Sequence, residues 1–196
     1  VADIAVPTER LEDAVARYDR EVAVAIERDP ELAVVWAARG RLTVAMGGDG
    51  LPDLIQALEL GLQDPDALDI LARRSVADGD RALAERTWEA WRGVRSSTAE
   101  GWLRRARLAE HLGHDGAALE DRLEALEAGA ATGDQVQAIL ALATRSCRIG
   151  QPWSWARERP RRAAWGRPWA ELYRQLGEAT GDPRLLEAGL VPHDDD

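Results

Sequence analysis

Along most of the chain, apolar residues recur at helical rather than strand spacing. Leu68, Leu71, Ala72, Ser75 and Val76 stand at i, i+3, i+4, i+7 and i+8, which sets them on one helix face. No run alternates with period two, so no strand is predicted. Between the helical stretches stand residues that end helices. Gly47, Gly79, Gly113 and Gly150 each close a stretch, at spacings of 32, 34 and 37, and glycine supplies the left-handed conformation that stops a helix. Pro30 and Pro65 are read as ends of second helices, because proline cannot continue the hydrogen-bond ladder.

Fixed offsets accompany these glycines. Eleven residues before them stand Trp36, Leu68, Trp102 and Ile139, all large and apolar. Seven residues before stand Gly40, Ala72, Ala106 and Ala143, all small. A second series, Ala57, Trp91 and Ala125, is spaced 34 and 34, and Ala84 to Ala118 is again 34. Shared periods of this kind predict a helical hairpin repeated along the chain. The large residue anchors the core, and the small one lets the neighbouring helix approach.

The pattern resembles the tetratricopeptide repeat, a 34-residue helix–turn–helix unit with a large residue at position 4, a small one at 8, Gly at 15, Ala at 20 and 27, and Pro near 32. Pro65 to Thr98 matches it at Leu68, Leu71, Ala72, Gly79-Asp80, Ala84 and Trp88. Ala99 to Gly133 matches at Trp102, Ala106, Gly113, Ala118 and Ala125, while Ala33 to Asp64 matches at Trp36, Gly40 and Gly47 but is two residues short. Two departures stand out: Trp91 replaces a small residue at position 27, and Arg105 stands where Leu is expected at position 7. The resemblance implies an all-α, right-handed α-solenoid in a single domain, 1–196. It would hold about four repeats, at 33–64, 65–98, 99–133 and 136–165. Caps are expected at 1–30 and 166–190, followed by a solvated acidic tail at 191–196.

Composition narrows the function classes. With 45% apolar and 31% charged residues the chain can bury a core. All 25 basic residues are Arg; the absence of Lys, Asn and Phe is read first as GC-rich coding. A net charge of −10 argues against a nucleic-acid coat or an anionic membrane surface. No stretch approaches the 18 apolar residues a membrane span needs. Val1 to Glu9 has neither the basic flank nor the apolar run of a signal peptide, and a cytoplasmic location is expected. A single cysteine, Cys147, excludes an internal disulfide framework and reads as an inert, packed thiol.

No Gly-rich phosphate loop, nucleophile elbow or zinc-protease signature is present. His111 and His114 straddle the Gly113 turn, which points them apart and argues against a metal site. The expectation is therefore a protein without catalytic residues, metal or cofactor. It would bind a protein or peptide, an acidic one included, in a concave groove. The alternative is a structural or regulatory module of a larger chain, docking on a neighbouring domain. Carrying over the groove positions of the resemblance gives Arg41, Arg73 and Arg107 at position 9 of three repeats, with Arg148 nearby in the fourth and Leu103 and Leu140 as apolar anchors. A ladder of arginines could grip carboxylates. The competing reading is ordinary helix salt-bridging, since Asp69 lies four residues before Arg73. Without Lys or Asn, the carboxylate clamp of some family members lacks its usual residues.

A last segment breaks the composition. Trp153, Trp155, Trp165 and Trp169 share residues 152–169 with Arg157, Arg159, Arg161, Arg162 and Arg167. Pro152, Pro160 and Pro168 forbid one continuous helix across it. Its tryptophans either roof the end of the array, with arginines reaching outward, or form a secondary interaction surface.

Overall fold

Capping side chains mark where four of the helices begin. In the computed structural model, which describes residues 8–130, 132–158 and 166–189, the order is α1 (Thr8–Arg28), α2 (Ala33–Ala45), α3 (Leu51–Glu59), α4 (Pro65–Asp78), α5 (Arg81–Arg92), α6 (Ala99–Leu112), α7 (Asp115–Glu127), α8 (Gly133–Arg145), α9 (Gly150–Glu158), α10 (Gly166–Thr180) and α11 (Pro183–Gly189). The protein is all-helical, with no strand among the described residues. The Asp64 carboxylate accepts from the amides of Asp66 and Ala67 to open α4, and the Thr98 hydroxyl accepts from the Gly101 amide to open α6. Each such cap satisfies donors that the first turn leaves open, a contribution of ~1 kcal/mol. Pro65 is the first residue of α4, where its missing N–H costs nothing. It thus opens a helix rather than ending α3, which stops at Glu59.

Helix ends follow the glycine series in three cases out of four. Gly47, Gly79 and Gly113 have φ of +80°, +69° and +84°. At Gly79, its amide donates to Val76 O and the Asp80 amide to Ser75 O, at 3.2 and 2.8 Å, the paired bonds of a Schellman close. Gly150 does not belong to the series, because it begins α9. The same pair of bonds closes α8 three residues earlier, with Cys147 in the left-handed position at φ +55°.

The chain divides into two compact units, Val1–Val94 and Arg95–Asp196, where the sequence reading treats it as one domain. The boundary lies in the link between α5 and α6. In the first unit, α2 pairs with α3 and α4 with α5, α1 lies on α2, and α4 also touches α2 and α3. Leu54, Ala57, Leu68, Leu71, Ala84 and Trp91 form its interior. Helices α2 and α3 cross at two glycines: a Cβ on Gly40 would stand 2.7 Å from Leu54 Cγ, and one on Gly50 only 2.1 Å from the Gly40 carbonyl oxygen. The small residue seven before Gly47 thus does what its position predicts.

In the second unit, α6 pairs with α7 and α10 with α11, while α8 packs against α7, α9 and α10. Ala106, Leu119, Ala125, Val136, Ile139, Leu142, Leu172 and Leu176 are buried there. The predicted tail at 191–196 lies outside the described residues.

Candidate functional site

Two of the hairpins carry an ion pair that ties their first helix to their second. Arg39 on α2 donates from Nε and Nη2 to the two carboxylate oxygens of Asp53 on α3, at 2.7 and 2.6 Å. Its guanidinium lies 4.8 Å from the centre of the Trp36 ring. Arg105 on α6 repeats the arrangement with Asp121 on α7, at 2.8 and 2.6 Å, and lies 4.6 Å from the Trp102 ring. The spacing Trp-x-x-Arg puts ring and guanidinium on one helix face, and the planar fork matches a carboxylate in two places.

Electrostatics differ between the two. The Asp53 carboxylate raises the Arg39 pKa above its ordinary value. Burial pushes the Asp121 carboxyl upward, against the pull of Arg105. Arg105 therefore explains its own departure from the expected Leu: it is a core residue whose charge is met inside the core. Arg122 on α7 adds a further link, donating to Glu110 on α6 at 2.7 Å and to Gln135 on α8.

Each of the three ladder arginines stands beside a carboxylate of its own unit. Arg41 reaches Asp64 at 2.6 Å and Asp66 at 3.5 Å. Arg73 donates to Asp69 at 3.1 Å, four residues before it. Arg107 lies 3.7 Å from Glu100, and Arg148 lies 3.8 Å from Glu120. Leu140 is half-buried, whereas Leu103 is buried against Trp102, Ala125 and Ala130. Leu103 is thus a core residue and not an exposed anchor.

The Trp-rich segment turns mostly inward. Trp155 and Trp169 are buried and stacked, with ring centres 5.3 Å apart and planes 8° from parallel. Trp153 is half-buried, and its Nε1 donates to Asp182 at 3.1 Å. The Tyr173 hydroxyl donates to Ala156 O at 3.1 Å. Trp155 and Trp169 are accordingly part of the second unit's core. The Arg157 side chain and residues 159–165, Trp165 included, lie outside the described residues.

Cys147 is exposed rather than packed, because the left-handed close of α8 turns it outward. His111 is exposed at the end of α6. Among the described residues no group of three or more His, Cys, Asp or Glu side chains could hold a metal, and no helix is long and apolar enough to cross a membrane.

Sequence reasoning missed the Asp53 and Asp121 partners, although a signal was present. Asp53, Thr87 and Asp121 are spaced 34 and 34, four residues ahead of the series Ala57, Trp91 and Ala125. It missed as well a patch of exposed apolar side chains. Leu32, Val34, Val44, Met46 and Val76 are exposed on or beside α2 and α4. A shallow cavity of about 270 Å³ takes in one of them, Val44, and is lined otherwise by Gly47, Gly48, Asp49, Leu51, Ile70 and Arg74. No protein-family model matches the chain, and neither does any curated protein.

Proposed function

We propose that the chain is a non-catalytic interaction module, built of tetratricopeptide-like hairpins stacked as a right-handed array, that binds a peptide or a partner protein. One observation carries this reading. Every exposed large apolar residue among those described falls between Tyr18 and Val76 in the first unit, and five of the seven lie on or beside α2 and α4. Isolated exposed apolar residues are ordinary, but their concentration in one unit, with Val44 also on the rim of a cavity, supports a surface that is covered in use. The hairpin reading is supported by helix starts at Ala33, Pro65 and Ala99, 32 and 34 residues apart, and by the repeated glycine closes. An acidic ligand, favoured by the arginine ladder taken alone, would have to displace Asp64, Asp69 and Glu100 from Arg41, Arg73 and Arg107.

Capture followed by reconstitution tests the reading. The full chain, immobilised, is expected to retain a defined protein from a cell extract and to form a stoichiometric complex with that protein once purified. Failure to reconstitute any such complex would overturn the reading.

A further inference from the structure

Resting on the reading of an interaction module, the charge around the apolar patch specifies what it takes. All four arginines of α2 and α4 are met by carboxylates of the same unit: Arg39 by Asp53, Arg41 by Asp64, Arg73 by Asp69 and Arg74 by Asp78. The reverse does not hold. At one end of α2 the exposed Asp29 and Glu31 flank Leu32 and Val34, and no cation among the described residues pairs with either. At the other end Asp49 accepts from the Leu51 amide on the rim of the cavity and likewise meets no described cation. The whole unit follows the same sign, with nineteen acidic residues against eleven arginines, −8 of the chain's −10.

We propose that this face docks a cationic peptide segment with apolar anchors. One apolar side chain enters the cavity between Val44 and Ile70. A second lies on Val34, which is 66% exposed, ten residues and ~15 Å away along α2. The ligand's Arg or Lys groups meet Asp49 at one end and Asp29 with Glu31 at the other. Apolar contact supplies residence time, and the carboxylates supply orientation and a salt-sensitive association rate. The sign is opposite to that of the arginine ladder, because each ladder arginine already stands beside a carboxylate of its own unit.

Three labelled twelve-residue peptides test this with the full chain, by fluorescence anisotropy at low and physiological salt. One alternates Leu with Arg, one replaces Arg by Glu, and one keeps Arg but replaces Leu by Ser. The Leu–Arg peptide is expected to bind at least tenfold more tightly than either of the others, and more weakly as salt rises. Val44→Ser with Met46→Ser leaves the charge unchanged on exposed positions and should lose that preference; Asp49→Asn should weaken binding several-fold. Far-UV circular dichroism checks that each variant stays folded. Equal binding of the Ser–Arg peptide, which would mean bulk charge alone, overturns the proposal. So does preference for the Glu peptide, or binding that survives the Val44 and Met46 changes. A concentration-dependent dimer that Val44→Ser with Met46→Ser abolishes would give the face to a second copy instead. These failures differ from failure of the module reading, in which the chain reconstitutes no complex at all.

Discussion

The α2–α3 and α6–α7 hairpins hold the same three residue types in the same geometry at different depths. In the first, the Arg39 and Asp53 side chains keep 28% and 18% of their surface exposed; in the second, Arg105 and Asp121 keep 10% and 5%. The hydrogen bonds are equally short. What separates the pairs is the solvent around them, and solvent sets what a pair is worth. Water screens the first, so removing one partner leaves a charge that can be rehydrated. The second is nearly sealed, so removing one partner leaves the other's charge in the core without its two-point contact. The α4–α5 hairpin fills the places of Arg105 and Asp121, 34 residues earlier, with Leu71 and Thr87. A buried ion pair is thus one of two solutions to the same position.

The largest expected effect breaks this comparison directly. Asp121→Ala should cost ~3–5 kcal/mol, as loss of one member of a buried pair does. Asp53→Ala should cost ~1 kcal/mol. Urea unfolding followed by hydrogen exchange on α2–α3 and α6–α7 separately would measure both. Equal losses would show that burial is not what distinguishes the hairpins.

Of similar size, Trp102→Ala should cost ~3–5 kcal/mol as a large-to-small core change. Trp36→Ala should cost about half of that, because Trp36 is only half-buried and its Nε1 donates to Pro30 O near the surface. Thermal unfolding of the two variants ranks them.

A smaller effect is expected when the pair is replaced as a whole. Arg105→Leu with Asp121→Thr copies the α4–α5 solution and should fall within ~1 kcal/mol of the parent protein, or gain stability. A loss as large as that of Asp121→Ala would mean that the pair, and not its completeness, holds the hairpin.

The smallest effects sharpen the exposed end of the scale. Arg107→Ala should change stability by less than ~0.5 kcal/mol. Arg145 on α8 holds the Asp115 carboxyl below its ordinary range through a two-point contact at 3.1 and 2.9 Å. Because the folded pKa is depressed, the stability it gives is present above the unfolded value, ~3.9, and is lost as pH falls through the folded one. Asp115→Asn should therefore cost up to ~1 kcal/mol at neutral pH and progressively less below pH ~4, read from urea midpoints across the acid range.

Much of the helix pattern was legible in the chain because it rests on local chemistry. Ala33, Pro65 and Ala99 begin helices where the repeat arithmetic puts them, and Gly47, Gly79 and Gly113 adopt the left-handed turn. Gly150 misled because the offset from Ile139 matches while the turn does not. Cys147 accepts the strained conformation three residues early, and nothing in its residue type announces that. The site was less legible. Whether Arg41 faces a ligand or Asp64 depends on a residue 23 positions away, and periodicity carries no such information. Leu103 and the Arg105–Asp121 pair depend similarly on packing across α6 and α7, where a charged residue can be interior and a groove position can be core.

The crossing of α2 over α3 has a consequence for how sequence changes combine. Alanine is ordinarily the better residue in a helix interior by ~1 kcal/mol, so Gly40→Ala would be a stabilising change in most settings. Here the Cβ has no room, and the hairpin is two residues shorter than its 34-residue neighbour. Two residues added between Gly47 and Gly50 would relax the approach and return alanine to its usual advantage. One substitution then carries opposite signs on two backgrounds, which is sign epistasis written into a helix crossing. In a combinatorial library, alanine at position 40 should vanish from the short hairpin and be enriched in the lengthened one.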